Sequence, residues 1–303
     1  MTWVAAADYR RANTDTGSVP SCQVFGKVDR VRHDLIVGAI ARGSADARLP
    51  HIGAKAAVRA ALSHLKIHSA ELDTAIRADR DDAVREYFDE TLIAVLNQLR
   101  GAAFDHVAPL EDLATSLIVF AVEPKGIAAM QIGEGLLVSR GEEADYRLIF
   151  DVNVRQQDDR SLYVTSKDAK GRMRVGIRKG PVSFLCAATE AFGPLSLSNR
   201  NGRPHQRFFR PLDQYIQTAP DDGVVHQGIR SFLRSDRINR KLDDDLVLAL
   251  CGYRSQGDLF MDQAKGNASR RLSPLADAIA HEPAPDSAAV ANVQINSSYL
   301  SFF

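Results

Sequence analysis

Leu35-Ile36-Val37-Gly38-Ala39-Ile40 runs into Ala41-Arg42-Gly43-Ser44-Ala45-Asp46, and His51-Ile52-Gly53-Ala54-Lys55 follows after a four-residue spacer. The apolar run Leu35 to Ile40 has the length of a strand, Gly43 supplies a tight turn, and Gly53 to His68 carries helical spacing. The stretch therefore predicts strand, turn and helix in quick succession. The polar side chains of the turn, Arg42, Ser44 and Asp46, stand where such a strand end presents its chemistry.

The rest of the chain repeats the pattern of short strands closed by marked turns. Pro20-Ser21-Cys22-Gln23-Val24 precedes the strand, and Ala114-Thr115-Ser116-Leu117 opens another. Gln131-Ile132-Gly133-Glu134-Gly135 marks a hairpin, and Ala188-Thr189-Glu190-Ala191-Phe192 ends a strand in an acid. Phe208-Phe209, Phe232-Leu233 and Asp243-Asp244-Asp245 close the series. In this order, across residues 3 to 253, the segments resemble the type 2C metal-dependent serine/threonine protein phosphatases, in particular a compact bacterial branch. There the strand matching Leu35 to Ile40 ends in Asp-Gly-x-Gly-Ser and, after a short spacer, the helix opens with Gly-Ala.

The differences from that pattern fall on carboxylates. By resemblance, Arg42 stands where the family has its metal-bridging Asp, beside the matching Gly43. Val24 stands where an outer acid is expected, Glu134 replaces the hairpin Asp, and Glu190 replaces a metal Asp, with Ala191 for Gly. Asp243 and Asp244 match the closing acidic pair, although Leu246 or Val247 sits where Thr is usual. The resemblance implies an α+β fold, an α-β-β-α four-layer sandwich of two mainly antiparallel sheets flanked by helix pairs.

With 303 residues and 45% hydrophobic content the chain can bury one sizeable core. We read residues 1–255 as one domain and 256–303, rich in polar residues and proline but apolar again from Val293 to Phe303, as a mobile tail. Thirty-eight basic against 38 acidic side chains leave no global field for nucleic acid or an anionic membrane. No apolar run reaches the 18 or so residues of a membrane span, and the first residues lack the order of a secretory signal, so a cytoplasmic protein is expected. Cys22, Cys186 and Cys251 are spaced as reduced thiols rather than as a disulfide frame or zinc site.

Ten strands are expected: Trp3 to Asp8, Cys22 to Lys27, Leu35 to Ile40, Leu117 to Val122, Ile127 to Ile132, Leu136 to Ser139, Arg147 to Phe150, Met173 to Ile177, Val182 to Ala188 and Leu246 to Cys251. Helical spacing covers Gly53 to His68, one longer segment from Leu72 to Leu99 that closes before Pro109, and two later segments, Gln206 to Ala219 and Val224 to Arg234.

An active member of the family holds two divalent cations on strand-end carboxylates, and a bridging water attacks phosphorus. Arginine keeps its proton at ordinary pH and cannot ligate a cation. The reading that follows is a catalytically impaired phosphatase-like protein, with Arg42 paired to Glu190 and the Asp243-Asp244 pair in place of metal. Such a protein acts as a regulatory or phosphoprotein-binding module with no cofactor. The resemblance implies a phosphate-binding Arg near the first strand, a place filled by Arg10 or Arg11, with Arg42 as a third candidate for phosphate. It also implies a kinase-like or von Willebrand A-type protein partner. The alternative is an active Mn- or Mg-dependent serine/threonine phosphatase, with a rearranged ligand set of Asp46, Glu190, Asp243 and Asp244, and Glu134 in reserve. A one-residue shift turns each aspartate of the 243–245 run to the other face, so its inward member stays open. His64 and His68 have zinc-clamp spacing but no third ligand, and the Arg230 to Lys241 basic run reads as a helix end.

Overall fold

The computed structural model describes residues 2–12, 22–77, 80–141, 145–151, 162–198 and 201–254. Among these described residues ten strands appear in chain order: β1 Thr2–Arg10, β2 Val24–Arg32, β3 Leu35–Gly43, β4 Thr115–Glu123, β5 Gly126–Ile132, β6 Leu136–Arg140, β7 Arg147–Leu148, β8 Arg174–Lys179, β9 Phe184–Ala188 and β10 Leu246–Arg254. They form two five-stranded sheets, β1-β10-β9-β6-β7 and β2-β3-β4-β5-β8, with every pairing antiparallel. The helices are α1 Pro50–Ile67, α2 Ser69–Arg77, α3 Asp81–Asp105, α4 Ala169–Arg172, α5 Gly193–Ser196, α6 Gln206–Thr218, α7 Asp222–Leu233 and α8 Asp236–Lys241.

The central strands read as unbroken apolar runs because both of their faces are covered. Along β3, β4 and β5 the side chains alternate. Val37, Ala39, Leu117, Val119, Ala128 and Met130 pack with the residues of α1, α2 and α3. Their neighbours Ile36, Ile40, Ile118, Phe120, Ile127 and Ala129 join Trp3, Leu185, Val247 and Ala249 between the two sheets. On the far side, Cys186, Leu248 and Leu250 pack under Phe209, Leu212, Ile216, Val225 and Ile229 of α6 and α7. The layers are thus helix, sheet, sheet, helix, the expected α-β-β-α sandwich.

One helical expectation is corrected. The segment from Leu72 to Leu99 is two helices, α2 and α3, because after Ile76 the stripe needs an apolar residue at 79 or 80 and meets Asp79 and Arg80. Asp81 and Asp82 then open α3, where acids complement the helix N-terminus. α1 begins three residues before Gly53, at Pro50, which occupies a first-turn position where its missing N–H costs nothing. The tail reading of 256–303 lies outside the described residues. Among the described residues, no helix is long and apolar enough to cross a membrane.

Candidate functional site

Strand parity aims Arg42. It follows Ile36 and Ile40 on the inter-sheet face of β3, with Val24 of β2 on one side and Ser116 of β4 on the other. At this end of the sandwich the opposing sheet supplies Glu190, just past β9, and Asp244, just before β10. The Arg42 guanidinium bridges them. One terminal nitrogen donates to Glu190 Oε1, and the other donates to Asp244 at 3.0 Å.

The turn that presents Arg42 is fixed by backbone bonds. Gly43 N donates to Gln23 O at 2.8 Å, Ser44 N to Ala114 O at 2.8 Å, and Leu49 N to Asp112 O at 2.9 Å. A Cβ on Gly43 would lie 2.4 Å from Pro50 Cβ, and one on Gly53 would lie 2.2 Å from Leu113 O. Gly43 is therefore required by the close seating of α1 against the end of β3, and Gly53 by its seating against the turn at Leu113. Ser44 Oγ accepts from Asp46 N, which leaves the exposed Asp46 carboxylate outside the bridge.

Electrostatics follow from partial burial. The side chains of Arg42, Glu190 and Asp244 retain 24%, 27% and 37% of their exposure, so the bridge is shielded yet open at its edge. Burial works against the Arg42 charge, but Glu190 and then Asp244 hold it above its usual value. Burial pushes the Glu190 carboxyl up; Arg42 pulls it back down, and Glu134 across the cleft pushes it up again. Glu190 Oε2 is buried without a hydrogen-bond partner among the described residues. Around these groups lies a cleft of about 310 Å3 walled by Ser44, Ser116, Glu134, Leu162 and Tyr163.

The three closing aspartates divide their work. Asp243 is exposed, and Asp244 faces Arg42. Asp245 is buried and accepts from the backbone N–H groups of Ala12, at 2.7 Å, and Gln23, at 2.5 Å, which ties the end of β1 to the start of β2. Sequence reasoning did not find that clamp, nor the wall made by Ser116, Leu162 and Tyr163. The acidic run was its only signal. Val24, where the outer acid is expected, is 2% exposed in the inter-sheet core.

Arg10 requires a correction as a phosphate ligand. It is 7% exposed, and its terminal nitrogens donate to Asn239 Oδ1, to Leu242 O at 2.9 Å and to Asp244 O at 3.2 Å. Its fork is spent on the α8–β10 junction. Arg11, the next residue, is exposed. His64 shares a 3.0 Å hydrogen bond with Thr91 Oγ1 of α3, and His68 pairs with Glu71 of α2, so the two imidazoles serve the contacts of α1 with its neighbouring helices. Among the described residues no group of three or more His, Cys, Asp or Glu side chains is arranged to hold a metal ion.

Two antiparallel sheets between helical layers, with strand-end acids gathered at one edge of the inter-sheet space, define a phosphatase 2C-type scaffold. Residues 21–234 match the family model described as Protein phosphatase 2C, and the chain belongs to that family. Serine/threonine-protein phosphatase 3 of Escherichia coli K12 is 26% identical over 144 residues, 46% of this chain and 56% of that protein; the aligned part thus spans little more than half of the curated relative. Among solved structures, a bacterial serine phosphatase is similar with a TM-score of 0.56 at 9% identity, covering 82% of this chain and 96% of that one. The Staphylococcus aureus phosphatase Stp1 gives 0.53 at 10%, with 83% and 95% covered. The Mycobacterium tuberculosis phosphatase PstP/Ppp gives 0.52 at 12%, with 84% and 100% covered. These likenesses show the fold.

Proposed function

We propose that this chain is a non-catalytic member of the family, in which the Arg42 guanidinium takes the place of metal and the scaffold serves as a regulatory, phosphoprotein-binding module. The observation that carries this is the Arg42 bridge to Glu190 and Asp244. Carboxylates gathered at one edge repel unless a cation lies among them, and Arg42 is that cation. A divalent pair does not fit the residues present. Arg42 would have to leave, Val24 offers no oxygen, and Asp46 and Asp243 are exposed outside the bridge. Arg42 is equally unsuited to grip a phosphate, because both terminal nitrogens already donate to carboxylates.

The partner on this reading is a phosphorylated protein, with a kinase-like or von Willebrand A-type protein as the assembly mate that family resemblance suggests, in the cytoplasm. The test is turnover of a phosphoserine peptide by the full-length chain with Mn2+ or Mg2+. No phosphate release above the metal-only blank is expected. Metal-dependent release that scales with protein and is lost in Glu190→Gln would overturn the proposal in favour of an active, rearranged phosphatase.

A further inference from the structure

The contact of Phe208 with Phe232, ring centroids 6.3 Å apart, sets the start of α6 beside the end of α7. α8 follows at once, after Ser235 caps it through Ile238 N. Six cations belong to these segments: Arg203 three residues before α6, Arg207 in its first turn, Arg234 at the end of α7, and Arg237, Arg240 and Lys241 from α8. Against them stand, among the described residues, three exposed carboxylates: Asp145 beside Gln206, Asp236 and Asp243. In a chain whose 38 basic and 38 acidic residues cancel, this is a local excess.

Helix electrostatics explain only part of it. Arg240 and Lys241 in the last turn of α8 complement the dipole. Arg207 in the first turn of α6, which holds no acid, opposes it. Among the described residues Arg203, Arg207, Arg234 and Lys241 have no ion pair, and the hydrogen bond of the Arg240 side chain goes to Asp236 O at 3.2 Å. Arg207, an exposed cation without an ion pair at an unfavourable helix end, is unexplained by folding. Five of the six are arginines, whose planar fork suits phosphoryl oxygens better than an ammonium does.

The rim is also firmly mounted. Buried Arg10 holds Asn239 of α8 together with the carbonyls of Leu242 and Asp244. Asn239 Nδ2 in turn donates to Arg234 O at 3.2 Å. The cations of α8 and of the end of α7 thus project from a junction continuous with the segment that carries Asp244 into β10.

We propose that the rim formed by the start of α6, the end of α7 and α8 is the docking surface for a phosphorylated segment of a partner protein. This deepens the non-catalytic reading and rests on it for the absence of turnover, and it places the phosphate contact outside the Arg42 cleft.

The experiment is fluorescence anisotropy of the full-length chain with a labelled peptide carrying two phosphoserines. Its unphosphorylated twin and a single-stranded DNA of equal charge serve as the other probes. Binding of the phosphopeptide alone is expected, weakening with salt. Arg207→Ala with Arg234→Ala, and separately Arg240→Ala with Lys241→Ala, should each raise Kd roughly tenfold, which is about 1.4 kcal/mol, with melting temperatures unchanged. Equal or tighter binding of DNA, equal binding of the unphosphorylated twin, or full binding by both double variants would overturn the proposal. So would loss of binding in Arg42→Ala alone, which would move the phosphate into the cleft. Turnover by the wild-type chain, with both rim variants still weakened, would instead sink the non-catalytic reading and leave the rim standing.

Discussion

Replacing Arg42 by alanine removes the cation on which Glu190 and Asp244 both close. A hydrogen bond to a charged group contributes roughly 1.5 to 3 kcal/mol when shielded, while an exposed ion pair contributes less than about 1 kcal/mol. Glu190 retains 27% of its side-chain exposure and falls near the first case; Asp244 retains 37% and is discounted to the second. The expected loss is therefore about 2 kcal/mol. At 2–4 °C per kcal/mol for a domain of this size, the melting temperature falls by about 4–8 °C. The loss also depends on pH. Burial already lifts the Glu190 carboxyl above its unfolded value, and Arg42 opposes that lift. Without Arg42 the carboxyl rises further, so the folded variant holds a proton that the unfolded chain releases. Its stability is then greatest below the unfolded pKa and is lost as pH rises through the folded one. Urea unfolding at pH 5 and pH 8 reads both effects: a deficit of about 2 kcal/mol is expected at pH 8 and a smaller one at pH 5. A variant within about 0.5 kcal/mol of wild type at both pH values, the range of ordinary surface substitutions, would refute the bridge. A deficit independent of pH would remove Glu190 as its principal acceptor.

Glu123, buried at the end of β4, has its carboxyl pushed up to about 8 by burial and then by Asp73, against the pull of Arg77 and Arg32. The folded state binds the proton more tightly than the unfolded chain, so wild-type stability should fall as pH rises from the ordinary carboxylate range to about 8. Glu123→Gln should flatten that slope in urea midpoints measured across pH. Gly43→Ala would press its Cβ to 2.5 Å from Pro50 O, and a loss of about 1–3 kcal/mol in thermal unfolding is expected. Asp245→Ala frees the backbone N–H groups of Ala12 and Gln23. Burial holds the neighbouring Cys22 thiol up at about 11, so its reaction with a disulfide reagent at pH 8 should be slow in wild type and faster in this variant.

Much of the fold could be read because burial on two faces leaves a simple mark. The stretches Leu35 to Ala41 of β3 and Leu117 to Val122 of β4 are apolar throughout, and Gly-containing turns punctuate the strands. All ten expected strands are present among the described residues, marked by apolar stretches of strand length and the turn residues between them. The junction of α2 and α3 was missed because Ile76 and Val84, eight positions apart, keep approximate helical spacing, while five of the seven residues between them are charged. At the site, parity along β3 and the order of the motifs were enough to bring Arg42, Glu190 and an aspartate of the 243–245 run together. Which aspartate faced inward depended on the exact start of β10, a one-residue matter that tertiary contacts decide. Arg10 illustrates a different limit. An arginine one residue from an exposed one carries no sequence mark of burial, and its work at Asn239, Leu242 and Asp244 depends on contacts more than 200 residues away.

The most direct test of the central claim is calorimetric titration of Mn2+ into the full-length chain, beside the Arg42→Asp variant under identical conditions. No heat of binding is expected for wild type and a saturable signal for the variant, whose new carboxylate joins Glu190 and Asp244 with no guanidinium between them. Micromolar binding by the wild-type chain would contradict it, because the cation would then share the cleft with Arg42 or displace it.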